Sequence, residues 1–178
     1  MRDTAFPSGA SRIPRKILFL LSLLISQATV LSGQVTSSEY AVYSTVLDHV
    51  FEHAWSDSVP VVPYTFGRLP STAGDLIEAG MRVRPELDPD LIAAYMAANA
   101  SSALLSAAEF TSVTPARLAA AEEVDYVALS RVGFSSSGDR ALVHVFAGCG
   151  IRCGSGAAVV LRLQSGEWVV DGLFVTLE

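Results

Sequence analysis

Beyond Lys16 the sequence contains no lysine, and from Gln34 onward eight arginines face seventeen carboxylates, a formal net charge of −9. Phosphate backbones and anionic lipid surfaces are bound by clustered cations, so nucleic acid and anionic membrane are excluded as partners. Cysteine is equally scarce, with only Cys149 and Cys153, and no further Cys or His pair stands at zinc-finger spacing. No Gly-x-Ser-x-Gly elbow is present, and no glycine run leads into Lys-Ser or Lys-Thr as a phosphate loop requires. Charged residues are only 17% and hydrophobic ones 51%, which excludes a disordered chain. A length of 178 residues suits one domain.

The first 33 residues have a separate character. Arg2, Arg12, Arg15 and Lys16 precede the apolar run ILFLLSLLI, Ile17 to Ile25, and then the small and polar SQATVLSGQ. Basic, apolar, then small is the layout of a secretory signal peptide, cleavable after Ala28, Ser32 or Gly33. The apolar run is well short of the roughly 20 residues that span a bilayer, so an uncleaved anchor is the minor alternative. Leu31-Ser32-Gly33 resembles the start of a lipoprotein box, but Gln34 stands where that box needs cysteine. The expectation is a signal over 1–33, a single domain over 34–178, and a periplasmic or secreted location without a membrane span after cleavage.

The domain opens with TSSEYAVYSTVLDHVFEHAW. Thr36 and Glu39 have the spacing of a capping box. Tyr40, Val42, Tyr43, Val46, Leu47, Val50, Phe51, Ala54 and Trp55 fall on one arc at 100° per residue, which predicts an amphipathic helix. SVPVVPYTF is rich in β-branched residues, but Pro60 and Pro63 restrict it to an edge strand. Helix starts are expected at Ser71, at Asp88-Pro89 ahead of LIAAYMAANA, and at Thr114-Pro115 ahead of ARLAAAEEV. SSALLSAAEF reads equally as helix or loop.

From Tyr126 the period changes to two: YVALSRVGF, the turn SSSGD, RALVHVFAG, the cysteine loop, AAVVLRLQ, the turn Ser165-Gly166, and EWVVDGLFVTL. This predicts an α+β domain with the N-terminal helix and short helices packed on a four-stranded antiparallel meander. One sheet face is expected on the first helix and the other toward solvent or a partner, as in cystatin-like or nuclear-transport-factor-like folds.

Cys149 and Cys153 flank a glycine-rich hairpin loop, CGIRCGSG. Positions facing each other across antiparallel strands are about 4.5–5.5 Å apart at Cα, which suits a disulfide. Its closed ring is small, so the chain-entropy model gives only about 2 kcal/mol, enough to pin a turn. A redox centre favours Cys-x-x-Cys at a helix start, whereas here the spacing is one longer and a strand follows. Gly150, Ile151, Arg152, Gly154 and Gly156 then form a candidate binding loop with Ile151 and Arg152 at its tip, where Arg152 serves equally well as a solubilising side chain.

His49-Val50-Phe51-Glu52-His53 matches the H-x-x-E-H pattern of inverzincin metallopeptidases, in which two histidines one helical turn apart ligate zinc and the glutamate activates its water. Glu122 and Glu123 are available as a downstream ligand. On the helical wheel His49 and His53 flank the apolar arc and Glu52 lies with Asp48 on the polar side, so a solvated helix edge produces the same letters.

The strings LSRVGF, ALVHVFAGCGIRCGSG and SGEWVV, with EYAVYSTVLDHVF ahead of them, resemble a group of uncharacterised exported bacterial proteins that share these islands in this order. The resemblance implies an exported, hairpin-rich bacterial domain and transfers no activity. The function expected is a non-catalytic binding or structural module of the cell envelope or secreted space, without cofactor, taking a protein or small-molecule ligand. The alternative is a small zinc-dependent hydrolase built on His49, Glu52 and His53.

Overall fold

Thr36 and Glu39 begin the first helix as their spacing requires. In a computed structural model of the chain, residues 33–50, 57–67, 87–120, 123–149 and 154–176 are described. The Glu39 amide donates to Thr36 Oγ1 at 3.2 Å and the Thr36 amide to Glu39 Oε2 at 2.9 Å, a reciprocal cap that satisfies two orphan donors. Helix α1, Ser37–Val50, follows and buries Tyr40, Val42, Tyr43, Val46 and Leu47. Phe51, Ala54 and Trp55 lie outside the described residues. Residues 34–178 form one compact unit, distinct from residues 1–33.

The sheet corrects the expected four-stranded meander. Among the described residues it has seven strands: β1 Val59–Val61, β2 Ala116–Leu118, β3 Asp125–Leu129, β4 Gly133–Phe134, β5 Arg140–Cys149, β6 Gly154–Gln164 and β7 Glu167–Thr176. Their order is β2-β1-β3-β5-β6-β7, with β4 also on β5. β1 runs parallel to both its neighbours and the remaining pairs are antiparallel, so the sheet is mixed. The period-two segments supplied β3 to β7. β1 falls within SVPVVPYTF, the segment expected as an edge strand, whereas the three-residue β2, too short to show a period, was not expected as a strand.

Both of those short strands overturn a local expectation. β1 is interior although it contains Pro60. The Val59 amide donates to Pro115 O and the Val61 carbonyl accepts from the Ala119 amide, whereas the Val62 amide reaches β3 at Val127 O. Alternation turns the Pro60 nitrogen toward β3, where pairing begins only at Val61, so no ladder bond is lost there. Thr114-Pro115 starts β2 instead of a helix, because the parallel ladder to β1 outweighs the helix propensity of ARLAAA. The Ser71 start lies outside the described residues. Asp88 caps the second helix, α2 Pro89–Ala98, by accepting from the Asp90 amide at 2.9 Å. SSALLSAAEF is mostly irregular, with one 3₁₀ turn at Ala107–Glu109.

Ser165 and Gly166 both take positive φ, 55° and 90°, and join Gln164 to Glu167 as a two-residue hairpin of type I′ geometry. The sheet is covered on both sides. α1 packs on the face formed by Val127, Leu129, Val143, Val145, Val159 and Leu161. Contrary to expectation, the opposite face is partly covered, with Leu91, Ile92 and Tyr95 of α2 lying on Leu142, Ala158 and Val160. Burial on both faces explains why β5 and β6 read as nearly continuous apolar runs. α2 comes so close to β4 that a Cβ at Gly133 would overlap the Tyr95 backbone.

Residues 130–132, between β3 and β4, join these layers. Glu39, 2% exposed, accepts from Arg131 Nε at 2.7 Å, Arg131 Nη2 at 3.0 Å and the Val132 amide at 3.3 Å, in addition to its bonds from Thr36. Tyr43 Oη donates to Ser130 O at 2.9 Å. The Asn99 side chain, just past α2, accepts from the Arg131 amide and donates to Arg131 O. Bonding to Glu39 holds the Arg131 pKa above its ordinary value, and burial raises that of Tyr43.

Two stability predictions follow from this packing. Removing one partner of a buried ion pair leaves the other charge uncompensated, so Glu39→Ala lowers the unfolding free energy by about 3–5 kcal/mol. Glu123→Ala, which breaks the exposed pair with Arg117, leaves stability nearly unchanged, and urea denaturation of the two variants side by side checks the contrast. Gly133→Ala costs about 1–3 kcal/mol by overpacking, read as a lower melting temperature, because the obstructing atoms are backbone and cannot rotate away.

Candidate functional site

β1 leads into a bulge that makes a groove. The Val62 amide bonds Val127 O at 2.8 Å, and the chain returns to β3 when the Phe66 amide bonds Leu129 O at 3.0 Å. Four residues on this side therefore advance against two on β3. The surplus arches away and bonds elsewhere: Pro63 O accepts from the Leu105 amide and the Thr65 amide donates to Ala103 O. Pro63 has no N–H with which to continue a ladder, and small Ala128 lies beneath the arch. The resulting groove has a volume of about 450 Å³ and is lined by Val62, Pro63, Tyr64, Phe66, Ala119, Ala120, Glu123, Tyr126 and Ala128.

Among the described residues its lining is apolar and aromatic apart from one carboxylate and two phenols. Tyr64 is 53% exposed, a large ring left open to solvent. Glu123 is held by both terminal nitrogens of Arg117 and by the Ala120 amide at 3.1 Å, while Arg117 Nε donates to Ser58 Oγ. The hydrogen bonds from Arg117 keep the Glu123 pKa below its ordinary value and raise that of Arg117. This carboxylate is therefore ionised and paired, unsuited to delivering a proton at neutral pH.

Tyr126 connects the groove to the cysteine hairpin. It pairs with Gly148 across β3 and β5, and a Cβ at Gly148 would lie 2.7 Å from its ring. Phe146 covers Gly154 in the same way. The glycines thus give up side chains where aromatic rings come close. Cys149 ends β5, exposed, opposite Asp125. Gly154 and Gly156 lie on β6, whereas Gly150, Ile151, Arg152 and Cys153 are outside the described residues.

The two described histidines, His49 and His144, occupy separate places. His49 is exposed on the last turn of α1, and Glu52, His53 and Glu122 lie outside the described residues. Glu123 is committed to Arg117 in the groove. Among the described residues no group of three or more His, Cys, Asp or Glu side chains could hold a metal ion. His144, 1% exposed, lies on the opposite face of β5 from Cys149, edge-on to the Phe66 ring at 5.5 Å. The nearby Ser130 hydroxyl accepts from the His144 amide at 2.8 Å and donates to Arg131 O at 2.9 Å, which is a backbone role.

The groove is the feature that sequence reasoning missed. Its only signals are the Pro60 and Pro63 pair and the small residues Ala119, Ala120 and Ala128. No family model, curated protein or solved structure matches the chain. No helix among the described residues is long and apolar enough to cross a membrane.

Burial lowers the His144 pKa from 6.5 to about 4. Between those values the unfolded imidazole takes a proton that the folded one refuses, so stability is intact above pH 6.5 and falls as the solution is acidified. The loss attributable to this group approaches about 3 kcal/mol near pH 4. Urea titrations across that interval detect it, and His144→Gln removes this part of the slope; an unchanged slope in the variant would assign it to other groups.

Proposed function

We propose that this chain is a non-catalytic binding module, exported to the cell envelope or secreted, that takes a neutral, largely apolar ligand in the groove between residues 62–66, the residues Ala119, Ala120 and Glu123, and β3. The observation that carries this reading is the pairing of Glu123 with Arg117. Among the described residues every other lining group is apolar, aromatic or phenolic, so a charged ligand finds no counter-ion among them, while a neutral one meets rings and two hydroxyls. A volume of about 450 Å³ suits a small molecule.

Export rests on the basic, apolar and small-residue order of the first 33 residues. The cysteine loop serves as a brace for one wall of the site. The register of β5 and β6 supports a Cys149–Cys153 disulfide: Gly148 pairs with Gly154, and one more rung would oppose the two cysteines. No cysteine is free among the described residues, which agrees with that bond. For the fold, kinship with cystatin-like or nuclear-transport-factor-like domains rests on α1 lying across the antiparallel strands, with the parallel β1–β2 pair as an addition.

N-phenyl-1-naphthylamine, a neutral fluorescent probe, tests the binding reading. Saturable enhancement is expected, with its loss in Ala120→Trp, which fills the exposed rim without touching the core; absence of saturable binding to the unsubstituted protein would refute the reading. Intact mass of the exported protein with and without alkylation tests the other two parts. A mature start near residue 34 and no alkylation before reduction are expected.

A further inference from the structure

Among the described residues β7 is the last strand of the sheet and is ten residues long, Glu167–Thr176, whereas the strand at the opposite edge, β2, has three. Long edges present rows of unpaired backbone groups, and proteins usually blunt them with proline, lysine or a covering element. β7 contains neither proline nor lysine, and Val169 and Leu173, one on each face, are both 42% exposed.

The edge is also irregular in a way that selects its partner. β6 pairs Val160 with Gly172 but Leu161 with Val170, so Asp171 is an extra residue at a bulge. Across it the faces shift by one: positions 168, 170 and 173 lie on the α1 side, and 169, 172 and 174 on the other. A regular strand laid along this edge would leave Asp171 unmatched, as β6 does. A second β7 running antiparallel brings the same extra residue to the same place. We propose that β7 pairs with the β7 of a second copy about a two-fold axis between Asp171 and Gly172, joining the two sheets into one.

In that register Val170 meets Leu173 and Val169 meets Phe174, each on a common face. Asp171 meets Gly172 in place of the other Asp171. Shifting by one residue in either direction opposes residues of different faces, and a shift of two no longer sets the bulges of the two strands against each other, so faces and bulge together select this register. A two-fold contact of this kind closes at the dimer and exposes no further edge there. Each copy carries a formal charge of −6 over the full sequence and −9 from Gln34 onward, so salt should tighten the pair by screening their repulsion.

Sedimentation velocity of the purified protein over a range of concentrations tests this, together with hydrogen exchange followed by mass spectrometry. The expected result is a doubling of mass with concentration, favoured by salt, with slower exchange in the 167–176 segment of the concentrated protein. Val169→Lys with Leu173→Lys should sediment as monomer while keeping the parent circular dichroism. If that variant fails to fold, exchange in the unsubstituted protein decides. A monomer at every concentration, or a dimer whose 167–176 amides are no better protected than in the dilute protein, would overturn the proposal.

Discussion

A single carboxylate, that of Glu39, is shared between the start of α1 and the connection from β3 to β4. It accepts from Thr36, Arg131 and Val132, groups drawn from two parts of the chain about ninety residues apart. Burying two charges is costly, and a buried ion pair often stabilises less than apolar residues of equal volume. What this pair contributes is position. α1 could slide along an apolar sheet face at little cost, because hydrophobic contact is non-directional. A carboxylate that must meet an arginine fork and two amides together has one placement.

The same segment fixes the other layer. Ser130, Arg131 and Val132 present their backbone and side-chain polar groups in succession to α1, to β5 and to the end of α2 through Asn99. α2 is thereby held where Gly133 admits its backbone, and the second face of the sheet is closed against Leu142, Ala158 and Val160. With both ends of the connection tied down, β3 becomes a fixed rail. The groove depends on this, since its floor is the outward face of β3 and its wall is a strand that leaves that rail and returns.

Local chemistry in this chain was legible and long-range pairing was not. The Thr36–Glu39 box, the Asp88 cap and the Ser165-Gly166 turn each lie within four residues, and the apolar runs of β5 and β6 with the alternation of β7 report burial that any register would share. β1 and β2 have three residues each, too few for a period, and their parallel pairing joins positions nearly sixty residues apart. Pro60 argued for an edge because its missing donor was counted without knowing which way it faced. The reading of Glu39 was correct and incomplete: a helix cap needs only Thr36, and nothing in the sequence singles out Arg131 among eight arginines. The groove was illegible for a related reason, since it arises from a surplus of residues between two hydrogen bonds to β3.

Tyr126 gives the two candidate features a common mechanical basis. Its ring can lie over Gly148 only because no side chain stands there, and that placement puts the same ring at the groove wall. Gly148 is the residue before Cys149, at the last described rung of the β5–β6 ladder. Glycines at a hairpin end carry high backbone entropy, so an unbraced end would fray and release the ring from its seat. A bond between Cys149 and Cys153 would act on the next rung outward, where fraying starts. Its small entropic contribution would hardly change global stability, yet it would be spent on the few residues that decide whether Tyr126 forms a wall.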